Sequence, residues 1–392
     1  MNAPGEFDFR YLSLQAAANL PARVGTLTHG FYRYPARFGE AFVREAVESF
    51  SKPGQTVLDP FCGGGTTVVE ALSLGRAAIG NDLSHLAALV TKAKTTPLSA
   101  AQLEAVYWWV QKVAASPLEL LLRSKGHYNE QLTGLPIWHR RLVAGLTERV
   151  EALPRGDSRT FAKCLVLKAA QWAYDGKESL PQPSDILRQL PGAFEEMRVG
   201  MNAYTSKLLS SGSSKRAAVR TRQLLTLPAS RLHTAVRSAS VSLAVTSPPY
   251  LGVHVLYHRW QLEGRRELRA PFFISGCKDL GGASKYTIIA RGSKDHTKYF
   301  GEVADSFAAV RQTLKPNGYV IQLVSFCEAD QSLPKYLAAM EAAGLQLCES
   351  YVHTAGELAW RAVPGRRWYA RVKAVQDSSA AQEVLLVHRK GR

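Results

Sequence analysis

The stretch Thr246-Ser247-Pro248-Pro249-Tyr250 directly follows the apolar run VSLAV. Proline donates no ladder hydrogen bond and fixes its own φ, so two in succession end a strand and hold their neighbours with little freedom. A serine hydroxyl, a preset proline carbonyl and an aromatic ring at such a corner form a rigid group suited to a reaction site. An ordinary strand-ending turn has the same composition, so these five residues acquire meaning only beside a second group.

That second group is LDPFCGGGTT, Leu58 to Thr67, a glycine-rich turn between an apolar run and a helical one. Gly63 and Gly65 let the backbone pass close to a ligand, and a helix start offers free amide N–H groups. No lysine follows the glycines, so the turn is not a phosphate-binding P-loop, and Val68 fills the third glycine's place in G-x-G-x-x-G. Asp82 ends the next apolar run, where an acid commonly holds ribose hydroxyls. Together with Asp59, these features point to a nucleoside cofactor that lacks a pyrophosphate.

The elements around these groups alternate. FGEAFVREAVESF reads as a helix, QTVLDPF as a strand, TTVVEALSLG as a helix, AAIGNDL as a strand and SHLAALVTKAKT as a helix capped by Ser84. This rhythm predicts a parallel sheet with crossover helices. Residues 97–212 are rich in Leu, Ala, Gln, Trp and Arg and read as a mostly helical insertion, closed by SSGSSKR as a flexible basic connector. The α/β rhythm then resumes, with AAVRTRQLL and VSLAVTS as strands, a helix from Phe300 to Leu314 and YVIQLVSF as a strand. LPKYLAAMEAAG follows as a helix, and LQLCESYVH and EVLLVHR as a closing antiparallel pair. Residues 1–96 and 213–392 thus form one cofactor-binding domain interrupted by the insertion.

Lys and Arg total 49 against 32 Asp and Glu, a net charge of +17 that predicts attraction to a polyanion, most simply nucleic acid. Between Thr205 and Ser240 there are seven basic residues and no acid, including Arg216, Arg220 and Arg222. A second cluster, RAVPGRRWYARVK, sets Arg361, Arg366 and Arg367 beside Trp368. Charge beside aromatics suits phosphate contact and base stacking, although a solvated surface has the same composition. The five cysteines form no C-x-x-C pair, which argues against a disulfide framework and a cysteine zinc site. His254 and His258 share one helical face, but no H-E-x-x-H glutamate accompanies them, and no metal is expected. No apolar run approaches the roughly 20 residues that span a bilayer, and the N-terminus lacks a signal-peptide layout; the chain reads as soluble and cytoplasmic.

LDPFCGGGTTVVEAL resembles the AdoMet-binding motif of amino-group DNA methyltransferases, and TSPPY resembles their catalytic motif. Within that family Ser-Pro-Pro-Tyr is typical of the cytosine-N4 branch, whereas Asp or Asn before Pro-Pro-Tyr is more usual for adenine N6. HGFYRYPARFGEAFV is similar to the segment preceding the cofactor motif, and TLKPNGYVIQLV and EVLLVHRK to the late strands. The resemblance covers about Thr28 to Ser99 and Ala217 to Arg392, and leaves the insertion unmatched. It implies a Rossmann-like, seven-stranded AdoMet methyltransferase fold with S-adenosyl-L-methionine as cofactor.

By position, the resemblance implies that Tyr34, Ala36 and Phe38 line the methionine end. Asp59, Phe61, Gly63, Gly65, Thr66 and Thr67 form the main pocket, and Asp82 takes the ribose. Ser247 and the Pro248 carbonyl would accept the two amino hydrogens of a flipped base, Pro249 would help preset that carbonyl, and Tyr250 would stack on the base. Tyr257 and Arg259, after the catalytic loop, would face the DNA. The motif order resembles the family's alpha-like arrangement, in which the intervening segment reads the target sequence. Acids that the family often carries near Gln223 and Ser242 are absent here, and no Pro-Cys pair exists for methylation at cytosine C5. The implied product is N4-methylcytosine in duplex DNA, beside a cognate restriction endonuclease. Adenine-N6 or RNA amino-group methylation, and non-catalytic nucleic-acid binding, remain the alternatives.

Overall fold

Strands rich in Val, Leu, Ile and Ala with no polar alternation must be buried on both faces, which is the condition of a parallel sheet covered by helices. The computed structural model of the chain describes residues 5–20, 27–34, 39–251, 260–262, 266–281, 286, 296–326, 328–349, 358–362 and 382–391. Helices α1 (Glu6–Asn19) and α2 (Glu40–Phe50) precede β1 (Thr56–Asp59), α3 (Thr66–Ser73), β2 (Ala77–Asn81) and α4 (His85–Thr95). Helix α2 follows from its apolar spacing, which buries Phe42, Val43, Ala46, Val47 and Phe50. Ser84 caps α4 through its hydroxyl, which accepts from the Ala87 amide.

Five helices come next: α5 (Ala100–Ala114), α6 (Leu118–Leu121), α7 (Ile137–Glu151), α8 (Asp157–Tyr174) and α9 (Pro183–Ser210). Short α10 (Lys215–Arg220) leads into β3 (Arg222–Leu225), followed by β4 (Val241–Thr246), the hairpin of β5 (Trp260–Leu262) and β6 (Arg266–Leu268), and α11 (Ala270–Ser275). The chain closes with α12 (Thr297–Thr313), β7 (Leu314–Val324), α13 (Ala329–Ala342), β8 (Leu345–Leu347), β9 (Trp360–Ala362) and β10 (Gln382–Lys390). Among the described residues no helix is long and apolar enough to cross a membrane.

The main sheet runs β3-β2-β1-β4-β7-β10-β8, with β9 also paired to β10. Strands β1, β2, β3, β4 and β7 are parallel, whereas β10 is antiparallel to β7, β8 and β9. This is the Rossmann-like seven-strand path expected from the sequence, with β9 as an added strand. The strand order reverses between β1 and β4, and in such sheets ligands bind beyond the carboxyl ends at that switch point. Because β10 runs the other way, its first residues reach the same edge: Val384 pairs with Val324 at the end of β7.

Alternate strand residues feed two cores. Val57, Leu243, Val245, Leu323 and Leu385 face one core and Leu58, Ala244, Val324, Val384 and Leu386 the other. The first core runs without interruption from the sheet into α5 through α9. Phe161 of α8, fully buried, stands edge-on to Phe31 at 5.6 Å and to Phe194 of α9 at 6.4 Å.

Three expectations differ from the structure. The strand anticipated over AAVRTRQLL begins only at Arg222, because the Ser214 hydroxyl accepts from the Ala217 amide and caps a helix across Lys215–Arg220. For the same reason SSGSSKR is a tight turn between two helices, with Gly212 in the left-handed region, and not an open linker. Among the described residues of LQLCESYVH, the strand covers Leu345–Leu347; residues 350–353 lie outside the described residues.

The shared core predicts cooperative unfolding of helices and sheet. Phe161→Ala should leave one urea transition, by circular dichroism and tryptophan fluorescence alike, shifted by about 3–5 kcal/mol.

Candidate active site

At the end of β1 the chain turns back on its own side chain: the Phe61 amide donates to Asp59 Oδ1 at 3.1 Å. The Cys62 amide then donates to the Asn81 carbonyl at 2.7 Å, fixing the turn to β2. Gly65 starts α3 at φ +79°, and a Cβ there would stand 2.5 Å from Thr91 Oγ1. A Cβ on Gly64 would meet the Tyr34 ring at 2.9 Å. Lys94, buried in α4, donates to the Gly64 carbonyl at 2.7 Å. The protein itself therefore fills the space around Gly64 and Gly65. A Cβ on Gly63 would meet nothing nearer than the Tyr34 ring at 3.9 Å, and the Gly63 amide donates to Asp82 Oδ2 at 2.8 Å.

Asp59 is 1% exposed, yet its partners are neutral: the Phe61 amide and the hydroxyl of Thr246, which donates to Oδ1 at 2.7 Å. Burial raises its pKa to about 6, against the lowering effect of Thr246, Thr67 and Phe61, and nearby Asp82 pushes it the same way as burial. Burial likewise raises Asp82, opposed by its bonds from the Ser84 and Gly63 amides. Among the described residues, this pair of acids has neutral hydrogen-bond partners and no cation paired with it. Thr66 and Thr67 are both buried, and the Thr67 hydroxyl donates to the Val245 carbonyl at 3.3 Å. Phe61 is partly exposed and leans on Phe307, with centroids 6.2 Å apart. Tyr34 lies against Tyr32, whose hydroxyl accepts from Trp260 Nε1 at 3.0 Å. Ala36 and Phe38 lie outside the described residues.

The Thr246–Asp59 bond brings the proline corner to the glycine turn. Ser247, partly exposed, donates from Oγ to the Tyr250 hydroxyl at 2.9 Å. Tyr250 in turn donates to Glu383 Oε1 at 2.6 Å. The Pro249 carbonyl accepts from the Tyr299 hydroxyl at 2.8 Å, which pins the second proline, and Pro248 is buried. Tyr250 is only 8% exposed. The expected free stacking ring is instead tucked into the core with its hydroxyl turned inward.

Two arginines expected on DNA are structural. Arg361 is buried and holds Glu383 through Nε at 2.8 Å, while Nη1 donates to the Ala18 carbonyl at 2.6 Å. Arg222 donates to Thr95 Oγ1 at 2.9 Å and Thr96 Oγ1 at 2.8 Å, fastening β3 to the end of α4. Arg216 and Arg220 are exposed, but α10 enters β3 from its amino end, so they stand at the sheet edge opposite Asp59 and Asp82. Tyr257, Arg259, Arg366, Arg367, Trp368, His254 and His258 lie outside the described residues.

Sequence reasoning missed Thr246, Lys94, Asn81, Tyr299 and Glu383. Asn81 ties β1 to the segment after β3, donating to the Pro60 and Leu227 carbonyls at 3.1 and 3.0 Å. Glu383, an acid at the head of an apolar strand, carried the one available signal. His29, Glu40 and Glu70 also bring ligand-capable atoms within 4.8 Å of one another. Arg44 already occupies both Glu70 oxygens, at 3.0 and 3.1 Å, so a cation is built into that cluster.

The fold is thus a Rossmann-like α/β sheet with its polar groups gathered at the switch point, and residues 18–92 match the DNA methylase family. The chain is 38% identical over 80 residues to the Type II methyltransferase M.MvaI of Kocuria varians, spanning 20% of this chain and 18% of that protein. It is 41% identical over 63 residues to the Type II methyltransferase M.BsoBI of Geobacillus stearothermophilus, spanning 15% of this chain and 12% of that one. The matches therefore cover less than a fifth of either relative's length. A solved SAM-dependent methyltransferase of Methanosarcina mazei aligns over 88% of this chain and 96% of its own, with 8% identity and a TM-score of 0.34.

The raised Asp59 pKa has a signed consequence. The unfolded chain loses this proton near its ordinary value of 3.8 and the folded chain near 6, so stability falls as pH rises between them and is level above. That cost is about 3 kcal/mol. Asp59→Asn keeps an acceptor for Thr246, and should be more stable than wild type at pH 8 by up to that amount, with the difference fading by pH 4 in urea titrations.

Proposed function

We propose that this protein is an AdoMet-dependent DNA methyltransferase of the amino-group class, acting on N4 of a cytosine flipped out of duplex DNA. The observation that carries this reading is the Thr246–Asp59 hydrogen bond, which seats the Ser-Pro-Pro-Tyr corner on the glycine turn. The matched family and the Type II methyltransferase relatives support it from the sequence side.

The residues fit the cofactor's chemistry. Asp59 and Asp82 have amide and hydroxyl partners but no cation among the described residues, and AdoMet carries both an ammonium and a methyl-donating sulfonium. Asp59 and the Gly63 amide region would hold the charged end, Asp82 the ribose, and Tyr34 would flank the turn. Pyrimidine amines are poor nucleophiles because the lone pair is delocalised into the ring. Ser247 Oγ and the Pro248 carbonyl would accept the amino hydrogens and favour a pyramidal nitrogen as positive charge develops. The corner is held before substrate arrives, so little reorganisation is required.

The +17 charge suits a DNA substrate. The helical segment 97–212 is assigned target recognition, and a cognate restriction endonuclease is the natural partner of such an activity. Arg216 and Arg220 face solvent away from the site and would at most touch flanking DNA.

Mass spectrometry of nucleosides from a methylation-free host expressing the protein should show N4-methylcytosine, reduced about 100-fold or more in Ser247→Ala. N6-methyladenine would replace cytosine by adenine as the substrate, and no methylated base would reject the reading. Calorimetry should also find AdoMet affinity level above pH 6 and falling up to tenfold per pH unit below it, as Asp59 takes up a proton.

A further inference from the structure

Serine is a weaker acceptor than the carboxylate or amide found at this corner in other amino-group methyltransferases, and a hydroxyl is a rotor that donates as readily as it accepts. A site that needs Ser247 as an acceptor must therefore stop its proton from pointing at the substrate.

We propose that Tyr250, Glu383 and Arg361 are positioning residues that fix the Ser247 hydroxyl as an outward-facing acceptor. The inference rests on Ser247 being the amine-binding group of the function proposed above. Its direction follows from what each group can do. Arg361 only donates, and it is committed to Glu383 Oε2 and to the Ala18 carbonyl. Glu383, so paired, is an ionised acceptor, and its other oxygen lies 2.6 Å from the Tyr250 hydroxyl. Tyrosine has one proton, and it goes to that carboxylate in preference to the Leu323 carbonyl, which lies 3.5 Å away. The Tyr250 oxygen can then only accept from Ser247, 2.9 Å away. The serine proton is drawn inward and both lone pairs are left for the partly exposed side. Successive bonds ending on a carboxylate also polarise one another, which makes the serine oxygen a better acceptor.

Topology supplies the parts from far apart. Glu383 and Arg361 are directly paired across β10 and β9, and the reversal of β10 carries Glu383 to the carboxyl edge where β4 ends. All three positioning residues are nearly buried, so the polarity of the chain is protected from water.

Glu383→Gln tests the polarity. Arg361 would keep the amide oxygen, turning the amide N–H₂ toward Tyr250, so that the tyrosine proton turns to Ser247 or to the Leu323 carbonyl and no longer fixes the serine. Tyr250→Phe cuts the chain and keeps the ring. Tritiated methyl transfer from AdoMet to unmethylated host DNA should show kcat lowered about 10- to 100-fold in either variant. AdoMet affinity by calorimetry should stay within about twofold. In the double variant the loss should be no greater than in the worse single one, since both break one path. The same non-additivity should appear in the urea midpoints of the four proteins, a readout that does not depend on turnover. Wild-type kcat in either variant, or losses that multiply in the double one, would overturn the relay. A wild-type protein that transfers no methyl would overturn the functional reading, and with it the relay's catalytic meaning.

Discussion

The hydrogen bond from Thr246 to Asp59 joins residues 187 positions apart in the chain, and the candidate site depends on it. It exists because β1 and β4 are neighbours at the point where the strand order reverses. Each strand ends in a residue that cannot be left unsatisfied where it is buried. An isolated carboxylate at 1% exposure would be costly, and the hydroxyl next to the proline corner is one of the few donors within reach. The two motifs are thus held together by a shared polar requirement as well as by apolar packing.

The glycine turn obeys a second constraint. Its glycines suggest a backbone bared to a ligand, but Gly64 and Gly65 yield their space to Tyr34 and Thr91, and Lys94 holds the Gly64 carbonyl from within. The turn is rigid before any ligand arrives. What it leaves partly exposed is Gly63 and Asp82, above the buried Asp59, two acids whose partners among the described residues are neutral donors. Such an arrangement lowers the stability of the protein alone, and under the proposed function the cationic cofactor would restore it.

These differences separate what could be read in the chain from what could not. Strand β1, its turn, α3, β2 and the Ser84-capped α4 were legible because periodicity and capping act over a few residues. The end of β4 was legible because Pro248 and Pro249 permit little else. Arg222 and Arg361 were not, because a basic run shows charge but not exposure. Arg361 is buried only through its register opposite Glu383, and that pairing belongs to β9 and β10 jointly. Lys215–Arg220 was misread because one serine cap outweighed a weak strand pattern. Tyr250 was read by its ring, whereas its hydroxyl decides its orientation through a carboxylate more than a hundred positions later.

The buried Arg361–Glu383 pair is hard to explain as a source of stability. Removing two charges from water costs several kcal/mol for each ion, and a well-packed apolar pair of similar volume would often serve the fold as well or better. The pair does something an apolar pair cannot: it gives a hydrogen-bond chain a fixed direction. A neutral residue at 383 would leave the tyrosine and serine protons free to face either way. A parallel β10 would place the acid at the opposite edge of the sheet. The reversed final strand and the costly ion pair are therefore understood together, as the means by which a serine, a weak and ambiguous acceptor, is given one orientation at the site.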